Sequence, residues 1–155
     1  MRRFDMYQRL EFGLAALLLV AIVLLVGIAS ITRFLGSPII WSVEIAQLCF
    51  VWICMLAADL ALQENRHFGL SIVLDGLSPR GRRIGEIINT VILVLLLSFL
   101  LVYAVRNTVL MHPRLIGATQ MHASLVHAAM PFGLALMLRT LLVRLYRSLM
   151  PRGTL

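Results

Sequence analysis

Two carboxylates, four histidines and two cysteines are the residues of this chain that could do chemistry in an apolar setting. Glu44 and Asp59 fall within one apolar run, His122 and His127 within another, and His67 and His112 stand at the edges of such runs. A pair of carboxylates can divide general acid and base work or hold a divalent cation. Glu44 and Asp59 are 15 residues apart, which on a helix puts them within roughly 60° of one face but about 22 Å apart along the axis. They cannot form one dyad. His122 and His127 diverge by about 140° on a helix and so cannot face one metal or haem iron together. Cys49 and Cys54 diverge by the same angle and about 7.5 Å, which argues against an intrahelical disulfide. CxxC, HExxH, GxxxxGK[ST] and GxSxG patterns are absent, so neither an enzyme nor a bound cofactor or metal is expected.

The elements that carry these residues follow from composition. Of 155 residues, 61% are apolar and 14% charged, with a mean hydropathy of +0.95, whereas soluble domains sit near about 45 to 50% and about 25%. Too few polar side chains remain to cover a water-soluble surface, which excludes a soluble monomer. All 14 basic residues are arginines against 7 acids. They lie between long apolar runs and form no stripe, so they read as anchors on anionic membrane lipids, and no nucleic acid is expected as a partner.

A bilayer-crossing helix needs about 20 mainly apolar residues. Residues 12–32, 39–63, 84–105 and 115–138 meet that length, the second with Glu44 and Asp59 inside it and the third with Glu86 near its start. The fold class is therefore an all-α membrane protein with four transmembrane helices in one domain, 1–155. Gly36-Ser37-Pro38, Ser78-Pro79 and His112-Pro113 mark the turns, with Ser78 as N-cap and Pro79 at the first helical position. Residues 68–77 are apolar but too short to span, and are expected to lie along the membrane surface. The first run is longer than a signal-peptide core, so an uncleaved anchor is expected.

An ionisable group at mid-bilayer costs on the order of 2.5 to 3.5 kcal/mol and is a functional candidate by default. Glu44, close to Trp41, reads either as an interfacial residue or as a contact with a partner helix. Asp59 is seven residues from Arg66, about 10 Å, too deep for a short carboxylate to reach water; an ion pair with Arg9, Arg82 or Arg83 is expected. Trp41, Glu44, Trp52 and Asp59 give the second helix more polar and aromatic content than lipid contact requires, which nominates it for a protein interface. Pro131 deprives the His127 carbonyl of its helical donor and predicts a kink. Ala57, Ala61 and the alanines from Ala118 to Ala129 permit close helix approach.

The second helix also carries a recognisable order of features: Trp41-Ser42-Val43-Glu44, then Phe50-Val51-Trp52, then Ala57-Ala58, with His67 after the helix and Pro131-Phe132-Gly133 in the last one. Together these resemble the small membrane subunit of tripartite ATP-independent periplasmic (TRAP) transporters, the DctQ-like family. Phe68, Ser71 and Ala57 stand where that family commonly has an aliphatic residue, an acid and a glycine. The resemblance implies a bacterial inner-membrane protein without catalysis of its own. It implies a large membrane subunit and a periplasmic substrate-binding protein as partners, sodium-coupled uptake of an organic acid, and a role in extending the scaffold of the large subunit. It adds His67 to the interface candidates. The competing class is an independent small carrier or exporter acting as an oligomer, which would need a membrane-embedded acid facing a cavity; Asp59 is its one candidate.

Orientation follows from the arginines. Arg2, Arg3, Arg9, Arg66, Arg80, Arg82, Arg83, Arg139, Arg144, Arg147 and Arg152 make 11 on one side, and Arg33, Arg106 and Arg114 make 3 on the other. The positive-inside rule places both termini in the cytoplasm. Reporter fusions after Leu155 are expected to report a cytoplasmic location and fusions near Ser37 a periplasmic one; a periplasmic C-terminus would end the four-span topology.

Overall fold

The structure is a computed structural model that describes residues 2–63 and 79–149. Helix α1 runs Arg2–Phe34, α2 Ile40–Gln63 and α3 Pro79–Leu110; a two-stranded hairpin follows, β1 Leu115–Ile116 and β2 Met121–His122; then come a single turn α4, Ser124–His127, and α5, Ala129–Leu149. Four segments are long and apolar enough to cross a membrane: Met6–Phe34, Ile40–Gln63, Ile84–Leu110 and Ser124–Tyr146. Residues 68–77, His67, Arg66 and Ser78 lie outside the described residues, as do the side chains of Arg82 and Arg83.

Local chemistry sets the element ends. Helix α1 stops at a left-handed glycine, Gly36 at φ 79°, with Ser37 N–H donating to the Thr32 carbonyl at 3.0 Å and Gly36 N–H to that of Arg33 at 3.2 Å. These are the two bonds of a Schellman cap, and Pro38 behind it cannot continue the helix. Helix α3 begins at Pro79, where a missing N–H is no loss because first-turn donors have no helical partner.

The fourth span differs from the expected 115–138. Residues 115–123 form the hairpin, paired Leu115 with His122 and Ile116 with Met121, and the spanning segment starts at Ser124 instead. Freedom from charge was a poor guide here. Gly117 and Gln120 both adopt positive φ, 39° and 53°, a conformation incompatible with a helix. The expected break near Pro131 is present: Ala128 separates α4 from α5. The carbonyl of His127, deprived of its helical donor, instead accepts from Thr108 Oγ1 of α3 at 3.2 Å.

The helices pack in an open row. Helix α1 lies against α2, α2 against α5, and α5 against α3; α1 and α3 are the two edges. The buried apolar side chains sit mostly on the inner pair, Ala46, Leu56 and Leu62 on α2 and Ala129, Leu134 and Leu141 on α5, while none of the described side chains of α1 is buried. Small residues let the inner helices approach closely. A Cβ added to Gly133 would stand 2.6 Å from both Cβ and Cε of Met55, nearer than two carbons can pack.

Gly133→Val is therefore expected to force α5 off α2 and destabilise the fold by about 1–3 kcal/mol. Thermal unfolding in detergent would register this as a lowered midpoint. Gly27→Ala on the lipid-facing edge, where an added Cβ meets nothing within 4 Å, should leave the midpoint unchanged; equal midpoints for the two variants would refute the close α2–α5 contact.

Candidate interaction site on the second helix

Helix α2 is polar at both ends, and the two ends are engaged differently. At the hairpin end, Glu44 projects onto the turn joining β1 and β2. Its Oε1 accepts the Ala118 N–H at 2.7 Å, and its Oε2 accepts the Thr119 N–H at 2.9 Å and the Thr119 hydroxyl at 2.6 Å. Successive backbone N–H groups in such a turn make a concave anion site, and here the anion is a side chain from 75 residues earlier. Gly117 completes the fit, since a Cβ there would collide with the Glu44 carboxylate.

Other bonds brace the same region. Trp52 Nε1 donates to the Leu125 carbonyl at 3.2 Å, and its ring lies 5.4 Å from that of Phe132. Asn107 on α3 meets His127 Nδ1 at 3.2 Å. His112 and His122 stack at 4.5 Å, with His122 Nδ1 2.8 Å from the His112 carbonyl oxygen and His112 Nδ1 3.2 Å from the Ser124 hydroxyl. The loop is thus tied to α2, α3 and α4 simultaneously.

At the opposite end, Asp59 is 1% exposed. Its Oδ1 accepts from Thr140 Oγ1 of α5 at 3.0 Å and its Oδ2 from Gln63 Nε2 at 2.7 Å. The same Gln63 nitrogen donates to Glu11 Oε2 of α1 at 2.5 Å. Arg144 caps the end of α2 by donating to the Leu62 carbonyl at 2.8 Å, and the Arg139 guanidinium rests 4.5 Å above the Tyr7 ring. One polar layer therefore joins α1, α2 and α5. Among the described residues Asp59 is met by a hydroxyl and an amide and not by Arg9, while the side chains of Arg82 and Arg83, the other expected partners, lie outside the described residues. The Gln63 amide nitrogen thereby stands between two carboxylates, Asp59 and Glu11.

The five residues nominated from the sequence are thus dispersed. Glu44, Trp52 and Asp59 are occupied within the chain, Trp41 is 49% exposed at the hairpin end, and His67 lies outside the described residues. Sequence reading passed over Glu11, Gln63, Thr119 and Thr140. Gln63 stood four residues after Asp59, on the same helix face, and could have been found; Thr140 and Thr119 had no signal in spacing. Among the described residues, no group of three His, Cys, Asp or Glu side chains could hold a metal ion. His122 and His127 take separate partners.

Two grooves open on the row. One, of about 550 Å³, lies between α1, α2 and the hairpin, lined by Ile22, Val26, Ala46, Phe50, Ile116 and Met121. The other, of about 260 Å³, is bordered by Ala58 and Ala61 of α2, Leu93 and Leu97 of α3, and Met137 of α5. Its α2 border includes the exposed small residues Ala58 and Ala61.

Glu44→Gln keeps the size of the side chain but removes its charge and turns an amide NH2 toward a backbone N–H that can only donate. Hydrogen bonds to a charged group are worth about 1.5–3 kcal/mol, so amide exchange at Ala118 and Thr119 should accelerate by roughly tenfold to a hundredfold, while exchange in the middle of α5 stays put. Unchanged protection at both turn amides would show that the hairpin stands without its carboxylate.

The sequence model of the family described as tripartite ATP-independent periplasmic transporters, DctQ component, matches residues 14–150. No curated protein matches the chain. The matched stretch takes in the greater part of the first membrane-length segment and the other three whole, the Glu44 clamp, Asp59 with Gln63 and Thr140, and the hairpin between α3 and α4. With nearly its whole length matched in this way, the chain belongs to the DctQ component family of the tripartite ATP-independent periplasmic transporters.

Proposed function

We propose that the chain is the non-catalytic small membrane subunit of a TRAP transporter. In this reading it sits in the bacterial inner membrane with both termini in the cytoplasm. It enlarges the stationary scaffold of a large membrane subunit, which itself moves an organic acid on a sodium gradient. The substrate is delivered by a periplasmic binding protein.

The observation that carries this reading is the open row of helices. Its buried polar side chains, Ser42, Asp59, Thr90 and Thr140, are all hydrogen-bonded within the chain. The smaller groove is walled by apolar and small side chains, and the larger one by apolar side chains together with Gln47 and Glu44, whose carboxylate is bonded to the hairpin turn. A carrier needs an ionisable or polar group that substrate can reach; Asp59, the candidate named from the sequence, is 1% exposed and bonded to Thr140 and Gln63. A row whose faces are broad and apolar is instead suited to lateral packing in the bilayer, where small residues permit close helix approach. The groove over Ala58 and Ala61 is the favoured contact with the large subunit, in place of Glu44, Trp52 and Asp59, whose side chains are already engaged.

Proteoliposomes test this directly. Sodium-dependent uptake, with a binding protein supplied, is expected from this chain and the large subunit together and not from this chain alone. Ala58→Leu, which fills the groove, should cut recovery of the large subunit with this chain by tenfold or more while the isolated chain stays folded. Uptake by the chain alone would replace the accessory reading with that of a small independent carrier.

A further inference from the structure

The larger groove is walled on three sides, by Ile22 and Val26 of α1, by Val43 and Phe50 of α2, and by Ile116 and Met121 of the hairpin. Its volume, about 550 Å³, is that of a site for a small organic molecule. Two polar side chains interrupt the apolar lining. Glu44 is bonded to the hairpin turn and has little left to offer a ligand. Gln47, one turn further along α2, is exposed to the groove, and among the described residues no hydrogen bond holds its amide. It lies seven residues from Ile40, the start of the span, a depth of about 10 Å. An amide there costs free energy until something bonds to it.

Helix phase sets a cation over the same groove. Val26 and Arg33 are seven residues apart and Ile22 and Arg33 eleven, rotations that differ from whole turns by about 20°, so the three share one face of α1, with Arg33 about 10 Å nearer the hairpin end than Val26. Between Val26 and Arg33 that face carries only Ala29 and Ser30, and the Ser30 hydroxyl is turned onto its own helix, donating to the Val26 carbonyl at 2.8 Å. Arg33 is exposed, and among the described residues no carboxylate engages it. Side chains lean toward the N-terminus of their own helix. Because α1 and α2 run antiparallel through a short turn, Arg33 leans down toward the groove and Gln47 leans up toward Arg33.

We propose that this groove binds one glycerophospholipid from the leaflet at the hairpin end, with its phosphate on Arg33, an ester carbonyl on the Gln47 amide and an acyl chain along Ile22, Val26 and Phe50. The order of a cation, an uncharged donor and an apolar slot matches the order of headgroup, ester and chain in such a lipid. A guanidinium suits a phosphate oxygen pair, and an amide N–H suits an ester carbonyl, which can only accept. The proposal needs the membrane fold alone and goes beyond the TRAP reading without resting on it.

The test uses the full-length chain in detergent micelles, with bound lipid counted by native mass spectrometry as lipid is titrated in. The probes are dioleoyl phosphatidylglycerol, dioleoylglycerol, which keeps the esters and lacks the phosphate, and inorganic phosphate, which lacks the chains. One phosphatidylglycerol per chain is expected, with dioleoylglycerol bound roughly tenfold more weakly and inorganic phosphate left unbound. Arg33→Gln should weaken phosphatidylglycerol by roughly tenfold and leave dioleoylglycerol unchanged, Arg33→Lys should restore most of the binding, and Gln47→Leu should weaken both lipids. Val26→Trp fills the groove and should abolish binding; Val26 is 46% exposed, so the larger ring has room without parting the helices. Phosphatidylglycerol binding that is unchanged in both Arg33→Gln and Val26→Trp overturns the site, and so does dioleoylglycerol bound as tightly as phosphatidylglycerol. Loss of the bound lipid whenever the large subunit copurifies with the chain overturns it in favour of a protein neighbour. The subunit assignment is tested separately, by uptake, and stands or falls without this site.

Discussion

Within hydrocarbon no water is available to an unpartnered donor or acceptor, so every polar group carried into the spans must be answered from within the protein. Helix α2 is where this requirement is heaviest, because it carries a carboxylate near each end. Glu44 is answered by the turn of the hairpin, whose Ala118 and Thr119 donate to it. Asp59 is answered by Thr140 and Gln63, and through Gln63 by Glu11. No buried side-chain nitrogen or oxygen among the described residues is left without a partner. The two carboxylates thereby decide which helices stand beside α2: α1 and α5 meet at the Asp59 end, and the α3–α5 connection meets at the Glu44 end.

The same requirement is met a second time at Pro131. Proline removes an N–H that the His127 carbonyl needs, and Thr108 of α3 supplies a hydroxyl in its place. The break in the last span and the contact between α3 and the α4–α5 junction are thus one event. Asn107, one residue earlier on α3, holds the His127 ring. A kink produced by a single residue becomes a fixed angle because its freed carbonyl is bonded to a neighbour.

Satisfaction of polar groups does not close the molecule. The row α1–α2–α5–α3 leaves α1 with a single long packing contact, along α2, and leaves large apolar side chains exposed along α1 and α3. In a bilayer, lipid tails solvate those faces as well as protein does, so nothing drives the row to curl into a closed bundle. Close packing occurs only where residues are small enough to permit it, as at Gly133 against Met55. The result is a row with α1 and α3 as its edges and α2 and α5 as its packed centre.

Four membrane-length helices were legible from the sequence because the free energy of moving a segment into hydrocarbon is nearly additive over its own residues, and a run of 20 apolar side chains decides the matter alone. The Gly36 turn, the Pro79 helix start and the Pro131 break were legible for a similar reason, since each depends on the backbone of one residue. The hairpin at 115–123 was not: its residues are uncharged, and what distinguishes them from a helix is the pair of positive φ angles at Gly117 and Gln120 and a carboxylate arriving from another helix. Nor was the fate of Glu44 and Asp59, which the sequence marks as needing partners without naming them. Thr119 and Thr140 became those partners from 75 and 81 residues away, a choice settled by which helix faces came to lie side by side. A hydrogen bond depends on a few tenths of an ångström of position, and position across the row is a property of the packed helices, which no single stretch of the chain contains.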